Sequence, residues 1–396
     1  MIDAPWTQRD DLHAMLAAID PQGDACRYVG GAVRDSLLGI AASDIDIATR
    51  LLPENTMRLL DAAGIKAVPT GIAHGTVTAV LPLGSVEITT LRRDIATDGR
   101  HAEVAFTDDW REDAARRDFT INALFADPRT LAITDYFGGL GDLAARRVRF
   151  IGDASERILE DHLRILRYFR FFARFSGTAD AVALKACTTH AARLKALSRE
   201  RIARELLLML GSADPAGAAQ LMLEAGIWSV ILPEMADNAL AMLDRLLVRE
   251  TQVDAKPDSL LRLAALLPGD AAGAEHMASR LRLSKAQRIT LAAYVRCWPD
   301  NPDARRVAAS DQNPQLTPGW LLLRAPDAVF SAEWPRLQGW TVPVFPLAGR
   351  DILAMGVSAG PAVARVLAQT RATWVAEGFP DEARVLAIAT SLAVKG

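Results

Sequence analysis

Cysteine is nearly absent from this 396-residue chain. Cys26, Cys187 and Cys297 are the only three, odd in number and far apart, which excludes a disulfide framework and a cysteine-ligated metal cluster. Histidine is scarce as well. His13, His74, His101, His162, His190 and His276 form neither a His-x-x-x-His nor a His-Asp pair, an argument against a histidine-based hydrolase. A Gly-x-Ser-x-Gly elbow is missing, and no Cys/His arrangement stands out as a nucleophile. No apolar run approaches the roughly 18 residues of a membrane-spanning helix. The start of the chain carries Asp3, Asp10 and Asp11 and lacks the basic-then-apolar layout of a signal peptide. No membrane partner and a cytoplasmic location are therefore expected.

What remains is the composition of a soluble globular protein, 50% hydrophobic and 23% charged, which rules out disorder, collagen and coiled-coil fibre. The net charge of −3 argues against a protein coated in basic residues. The stretch 161–204 departs from that average, with ten Lys and Arg against three acids. Such local asymmetry suits a phosphate-binding surface and equally a solvated helix face.

Two textures divide the chain. Residues 1–150 mix short β-like runs with helical stretches. Tyr28-Val29 leads into Gly30-Gly31, 32–38 reads as a helix, and 44–48, 76–81 and 86–91 read as strands. Residues 92–107 lack periodicity and read as a mobile loop. After Gly152, helical periodicity takes over, with a helix expected over about 155–175 and others near 181–197, 199–210 and 216–224. The expected fold class is α+β: a head with a small mixed or antiparallel sheet and helices, then an all-helical remainder. The expected boundaries are 1–150, 151–215 and 216–396.

The chemistry-bearing residues cluster in the first half. On a strand, Asp44 and Asp46 face the same way, about 6–7 Å apart, while Ile45 and Ile47 face the core. Two carboxylates so placed repel unless a cation sits between them, and oxygen ligands of this kind suit Mg²⁺. Glu87 on a second strand would be a third carboxylate, the pattern used in two-metal phosphoryl transfer. Surface pairs and exposed strand glutamates look the same in sequence. Gly30-Gly31 before a helix allows close approach of a phosphate, and Arg34 would add a bidentate donor. No Gly-Lys-Ser/Thr follows, so this is not a Walker loop, and a plain tight turn also fits. At 100° per residue, Arg164, Arg167, Arg170 and Arg174 share a 120° sector with Asp161 beside it, opposite Ile165, Leu166, Phe169 and Phe172. An arginine row can meet a triphosphate, and an Asp beside an Arg can present acceptor and donor together to a base edge.

Taken in order, these segments resemble the class II tRNA nucleotidyltransferase and poly(A) polymerase family of the polymerase-β-like superfamily. Gly30-Gly31-Ala32-Val33-Arg34-Asp35 with Asp44-Ile45-Asp46 is similar to its metal motif, and Arg116-Arg117-Asp118-Phe119-Thr120-Ile121-Asn122-Ala123 to its sugar-recognising motif. Asp135-Tyr136-Phe137-Gly138-Gly139 with Asp142-Leu143 resembles its flexible motif. Glu160-Asp161-His162-Leu163-Arg164 looks like the base-reading segment, and Ser198-Arg199-Glu200-Arg201-Ile202 like the last, structural motif. The resemblance covers about residues 27–210.

It implies a nucleotidyltransferase head, then a helical neck, body and tail, and template-independent addition of C, C and A from CTP and ATP to the 3′ end of tRNA. Asp44 and Asp46 would hold Mg²⁺ with Glu87 as the third carboxylate, and Gly31 and Arg34 would contact the triphosphate. Arg117 would lie near ribose and phosphates, Asp161 and Arg164 would pair with the incoming base, and Arg167 and Arg170 would finish the pocket. Residues 92–107 would be the flexible element that helps switch from C to A. Poly(A) synthesis, C-only or A-only addition, and a silent RNA-binding protein are the alternatives on the same head. A fused phosphohydrolase is not expected, since His276 is the only histidine after residue 210.

Overall fold

The computed structural model describes residues 2–42, 44–97, 102–175, 177–299, 303–311 and 313–394. They form two compact units, Met1–Pro233 and Glu234–Gly396. The first unit holds α1 (Asp10–Ile19), β1 (Cys26–Val29), α2 (Gly31–Leu37), β2 (Ile45–Thr49), α3 (Pro53–Ala62), β3 (Lys66–Gly71), β4 (Thr76–Val80) and β5 (Val86–Thr90). Then come β6 (Arg92–Thr97), β7 (Ala102–Phe106), α4 (Trp110–Ala115), β8 (Leu124–Ala126), β9 (Ile133–Asp135), α5 (Gly139–Ala144), α6 (Ala154–Glu160) and α7 (Arg164–Phe175). It closes with α8 (Ala181–His190), α9 (Arg199–Leu210), α10 (Ala216–Glu224) and α11 (Ile227–Ile231).

Seven strands form one mixed sheet in the order β3-β4-β5-β2-β1-β8-β9. Only β2 and β5 run parallel, with Asp46 opposite Glu87 and Ile47 opposite Ile88. On the other side of β2, antiparallel β1 brings Val29 opposite Asp46. Strand alternation then does the rest: Ile45, Ile47, Val86 and Ile88 are buried and Asp46 is left half-buried.

The aromatic face of α7 joins the helices to the head. Phe119 packs on Phe150 at 4.8 Å and on Phe171 at 5.5 Å, while Tyr168 lies over Phe150 at 6.1 Å. Ile165, Leu166, Phe169 and Phe172 are buried as their spacing predicts, and so are Tyr168 and Phe171. The second unit is helical among its described residues. It encloses the ion pair Arg262–Glu250 at 2.7 Å, and Arg249 donates to the carbonyls of Leu322 and Ala325. A separate cluster packs Trp374 against Phe345 and Phe379. No helix among the described residues is long and apolar enough to cross a membrane.

Three expectations are corrected. The helix of 155–175 is two helices, because Asp161 is extended (φ −149°, ψ 106°) and its Oδ1 accepts the Leu163 N–H at 3.0 Å. A short acidic side chain that captures a nearby backbone N–H ends one helix and starts the next. The loop of 92–107 contains two paired strands, β6 and β7, outside the main sheet. Their pairing shifts between Asp94 and Ala96, and such an irregularity erases the period of two that would announce a hairpin. The turn between them, 98–101, lies outside the described residues. Finally, 181–197 is α8 followed by a 3₁₀ turn, Ala191–Ala196.

Gly139 begins α5 where a Cβ would stand 2.2 Å from the Thr120 carbonyl oxygen, whereas one at Gly141 would meet nothing. Gly139→Ala is expected to cost the first unit about 3 kcal/mol through overpacking. A lower urea midpoint for Gly139→Ala beside an unchanged one for Gly141→Ala checks this.

Candidate active site

The turn after β1 begins the site. Gly30 takes φ 72° and ψ −126°, a conformation open to glycine and costly for other residues. The chain can then pass directly from β1 into α2. A Cβ at Gly30 would lie 3.9 Å from Asp46 Oδ2 and 3.7 Å from Arg117 Nη1. A bare backbone turn, a carboxylate and a guanidinium thus meet at one point.

Around that point opens a cleft of about 500 Å³. Gly30, Gly31, Arg34 and Asp46 line it from the sheet side, Arg92 from β6, and Arg116, Arg117, Asp118 and Asn122 from the segment after α4. Asp161, Leu163, Arg164, Arg167 and Phe171 line it from the α6–α7 junction, and Arg201 from α9.

Asp46 lines its floor, with Asp44 before it on the chain and Glu87 beside it on β5. Asp44 is exposed, just before β2; Glu87 is exposed on β5. Burial, then the neighbouring charges of Glu87 and Asp44, push the Asp46 carboxyl up to about 6, while Arg117 pulls it down. Among the described residues no three His, Cys, Asp or Glu side chains converge to enclose a metal. Asp44 and Asp46 still fit a hard cation, since Mg²⁺ is commonly held by one or two carboxylates together with water and substrate phosphates.

The arginines of the cleft are held by acids, some one helical turn away and some far off in the sequence. Arg167 Nε donates to Asp118 Oδ2 at 2.7 Å. Burial opposes the charge on Asp118, yet Arg167, with hydrogen bonds from Asn122 and the Phe119 N–H, holds it at about 2. Arg164 pairs with Glu160 and donates to the Arg157 carbonyl at 2.8 Å. Asp161 accepts from Arg201 at 2.7 Å through its second oxygen. Arg117 and Arg116 both bond Asp113, at 2.9 and 2.8 Å.

Of the residues singled out from sequence, Gly31, Arg34, Asp46, Arg117, Asp161, Arg164 and Arg167 line this one cleft. Asp44 and Glu87 stand beside Asp46. Arg170 does not line it: its Nε donates to Glu205 at 2.6 Å and its guanidinium covers Phe171. Arg34 is 5% exposed, bonded to Asp35 and Asn122 and set against Phe171 and Phe175. It shapes the cleft wall more than it reaches into the cleft. Arg92, Arg116, Asp118, Asn122 and Arg201 were not singled out, although all but Arg92 fall in motifs quoted above. Arg92 had only its position in an apparent loop to announce it.

Residues 26–149 match the family model of the Poly A polymerase head domain, and residues 180–238 match that of the "Probable RNA and SrmB- binding site of polymerase A". The chain is 36% identical over 394 residues to the mouse (Mus musculus) protein named CCA tRNA nucleotidyltransferase 1, mitochondrial, with 94% of this chain and 88% of that one covered. It is 31% identical over 401 residues to the CCA-adding enzyme of Levilactobacillus brevis, with 95% and 96% covered. Its fold is similar to the crystal structure of the Bacillus stearothermophilus CCA-adding enzyme in complex with CTP, with a TM-score of 0.74, 25% identity, and coverage of 98% of this chain and 99% of that one.

The raised Asp46 makes a pH-dependent prediction. A carboxyl whose folded pKa lies above its unfolded value adds stability that is present below about pH 4 and lost as pH rises through about 6. In EDTA, Asp46→Asn should therefore stabilise the protein by roughly 1–2 kcal/mol at pH 8, after allowance for partial solvent exposure, and by little at pH 4. Melting curves at the two pH values check the sign.

Proposed function

We propose that this chain, which belongs to the CCA tRNA nucleotidyltransferase family, builds the C-C-A end of tRNA in the cleft between Asp46 and Asp161. The protein adds C, C and A, from CTP and ATP, to the tRNA 3′ end, and each addition releases pyrophosphate. The tRNA 3′-hydroxyl attacks the α-phosphate and pyrophosphate leaves in line. The protein contributes chiefly by positioning and charge.

Asp44 and Asp46 would hold Mg²⁺, with Glu87 as the third carboxylate; such ions neutralise phosphate charge and favour ionisation of the attacking hydroxyl. The backbone at Gly30 and Gly31 leaves room for the triphosphate. Arg117 meets ribose and phosphates, and Arg34, set in the cleft wall, meets the triphosphate. Arg167 closes the nucleotide pocket, and Arg170 supports it through Phe171. Asp161 and Arg164 read the base. Cytosine and adenine each present an amino donor next to a ring-nitrogen acceptor, and a carboxylate beside a guanidinium matches both; uracil and guanine present the reverse order. Each Asp161 oxygen already accepts one hydrogen bond and keeps lone-pair capacity for a base amine.

The observation that carries this reading is that Asp161 and Arg164 line the same cleft as Asp46 and Arg117. Residues 1–150 are assigned as the catalytic head, 151–215 as the neck, and 216–396 as the body and tail, with the basic helices to Arg204 and the tail holding the acceptor arm by shape and phosphates. The proposed workplace is the cytoplasm, whereas the mouse relative is named mitochondrial.

The test uses Mg²⁺ and tRNA transcripts ending before CCA, after C, or after CC, each given CTP, ATP or both. Growth by three nucleotides only with both is expected; a long ladder with ATP alone would identify a poly(A) polymerase. Asp46→Ala should lower incorporation by at least about 10³-fold while tRNA binding, read by gel shift, stays near that of the unaltered protein. Asp161→Ala should admit UTP and GTP at the expense of CTP and ATP, seen by competing the four nucleotides; retained selectivity would remove its base-reading role.

A further inference from the structure

Asp113 is assigned no part in holding nucleotide or metal, yet three residues that line the cleft, Arg92, Arg116 and Arg117, converge on its carboxylate. It lies on α4 and is 1% exposed. Oδ1 accepts the Arg92 backbone N–H at 3.3 Å, at the root of the β6–β7 pair, and Arg116 Nε at 2.8 Å. Oδ2 accepts Arg117 Nε at 3.3 Å and Nη2 at 2.9 Å. Burial opposes its charge, and Arg117 and Arg116 overcome that, so the carboxyl stays below its ordinary value.

The bonding pattern fixes an orientation. A guanidinium is planar, so bonds at Nε and Nη2 determine where Nη1 points. In Arg117 the remaining nitrogen, Nη1, is the one that comes up to Gly30 beside Asp46. From behind, Arg157 of α6 donates to the Arg116 and Arg117 carbonyls, the latter at 2.8 Å. Backbone and side chain of Arg117 are therefore held from two sides. Because the oxygen that anchors Arg116 also holds the Arg92 amide, a shift at the root of β6–β7 moves the same carboxylate that aims Arg117.

We propose that Asp113 is a positioning residue for nucleotidyl transfer: it aims Arg117 Nη1 at the incoming nucleotide and ties that aim to the root of the β6–β7 pair. This rests on the assignment of Arg117 to the nucleotide. Mutual dependence between two residues of one bonded network shows as non-additivity.

The test is a double-mutant cycle on the full chain, with KM and kcat for CTP measured on a transcript that lacks CCA. Asp113→Asn and Arg117→Lys should each raise KM about tenfold with a smaller fall in kcat, and the double variant should exceed the worse single by less than about threefold. Asp113→Glu, which keeps the charge, should recover part of the loss. Additive effects of the two substitutions would overturn the proposal and leave the assignment of Arg117 standing. A normal KM in Arg117→Lys would overturn both. If Asp113→Asn does not fold, hydrogen exchange at the Arg92 amide decides: it should quicken in Arg117→Lys relative to the unaltered protein, and an unchanged rate overturns the proposal.

Discussion

The parallel pairing of β2 with β5, two interior strands of the sheet, sets Asp46 beside Glu87 on one face, and the rest of the site answers the charge that this creates. Like charges so close are costly, and part of that cost appears as the raised Asp46 carboxyl. The fold holds them there regardless, because Ile45, Ile47, Val86 and Ile88 on the alternate positions are buried in the core. A one-residue slip would expose those four and bury the acids. Register, fixed by apolar burial, thereby places the carboxylates.

On α7, beside this acidic strand pair, three arginines are restrained by acids far off in the sequence: Arg167 takes Asp118, Arg170 takes Glu205 and Arg174 takes Asp35. Arg117 takes Asp113, one helical turn before it. Pinned guanidiniums lose less entropy when an anion binds than free side chains would. These arginines are therefore preorganised.

Alternation located β2, the Val, Ile and Thr content of 76–81 and 86–91 located β4 and β5, and the apolar spacing of 165, 166, 169 and 172 correctly gave the buried side of α7. The acids and the glycine turn were visible as residues, but surface pairs and plain turns look the same in sequence, and it was their order among the other motifs that drew attention to them. The break at Asp161 was not readable from periodicity. Residues 155–175 keep a helical pattern across it, and only the Leu163 N–H captured by Asp161, together with Arg201 on its other oxygen, ends α6 there. The paired strands in 92–107 escaped for the opposite reason, because an irregular ladder leaves no period to find.

By itself the sequence determined which residues could do the chemistry, through local patterns of charge and hydrophobicity that depend on neighbours along the chain. It could not determine which of them are committed to one another. In the sequence, Arg164, Arg167, Arg170 and Arg174 look like a free basic row with one acid beside it. Tertiary structure decided that Arg170 is bound behind the cleft wall and Arg34 bonded into it, that Asp118 and Arg201 line the cleft, and that Asp113 joins Arg92 to Arg117. An ion pair forms between groups brought within a few ångströms of each other, and the chain positions that meet here are as much as 139 residues apart, a distance across which no local pattern carries information.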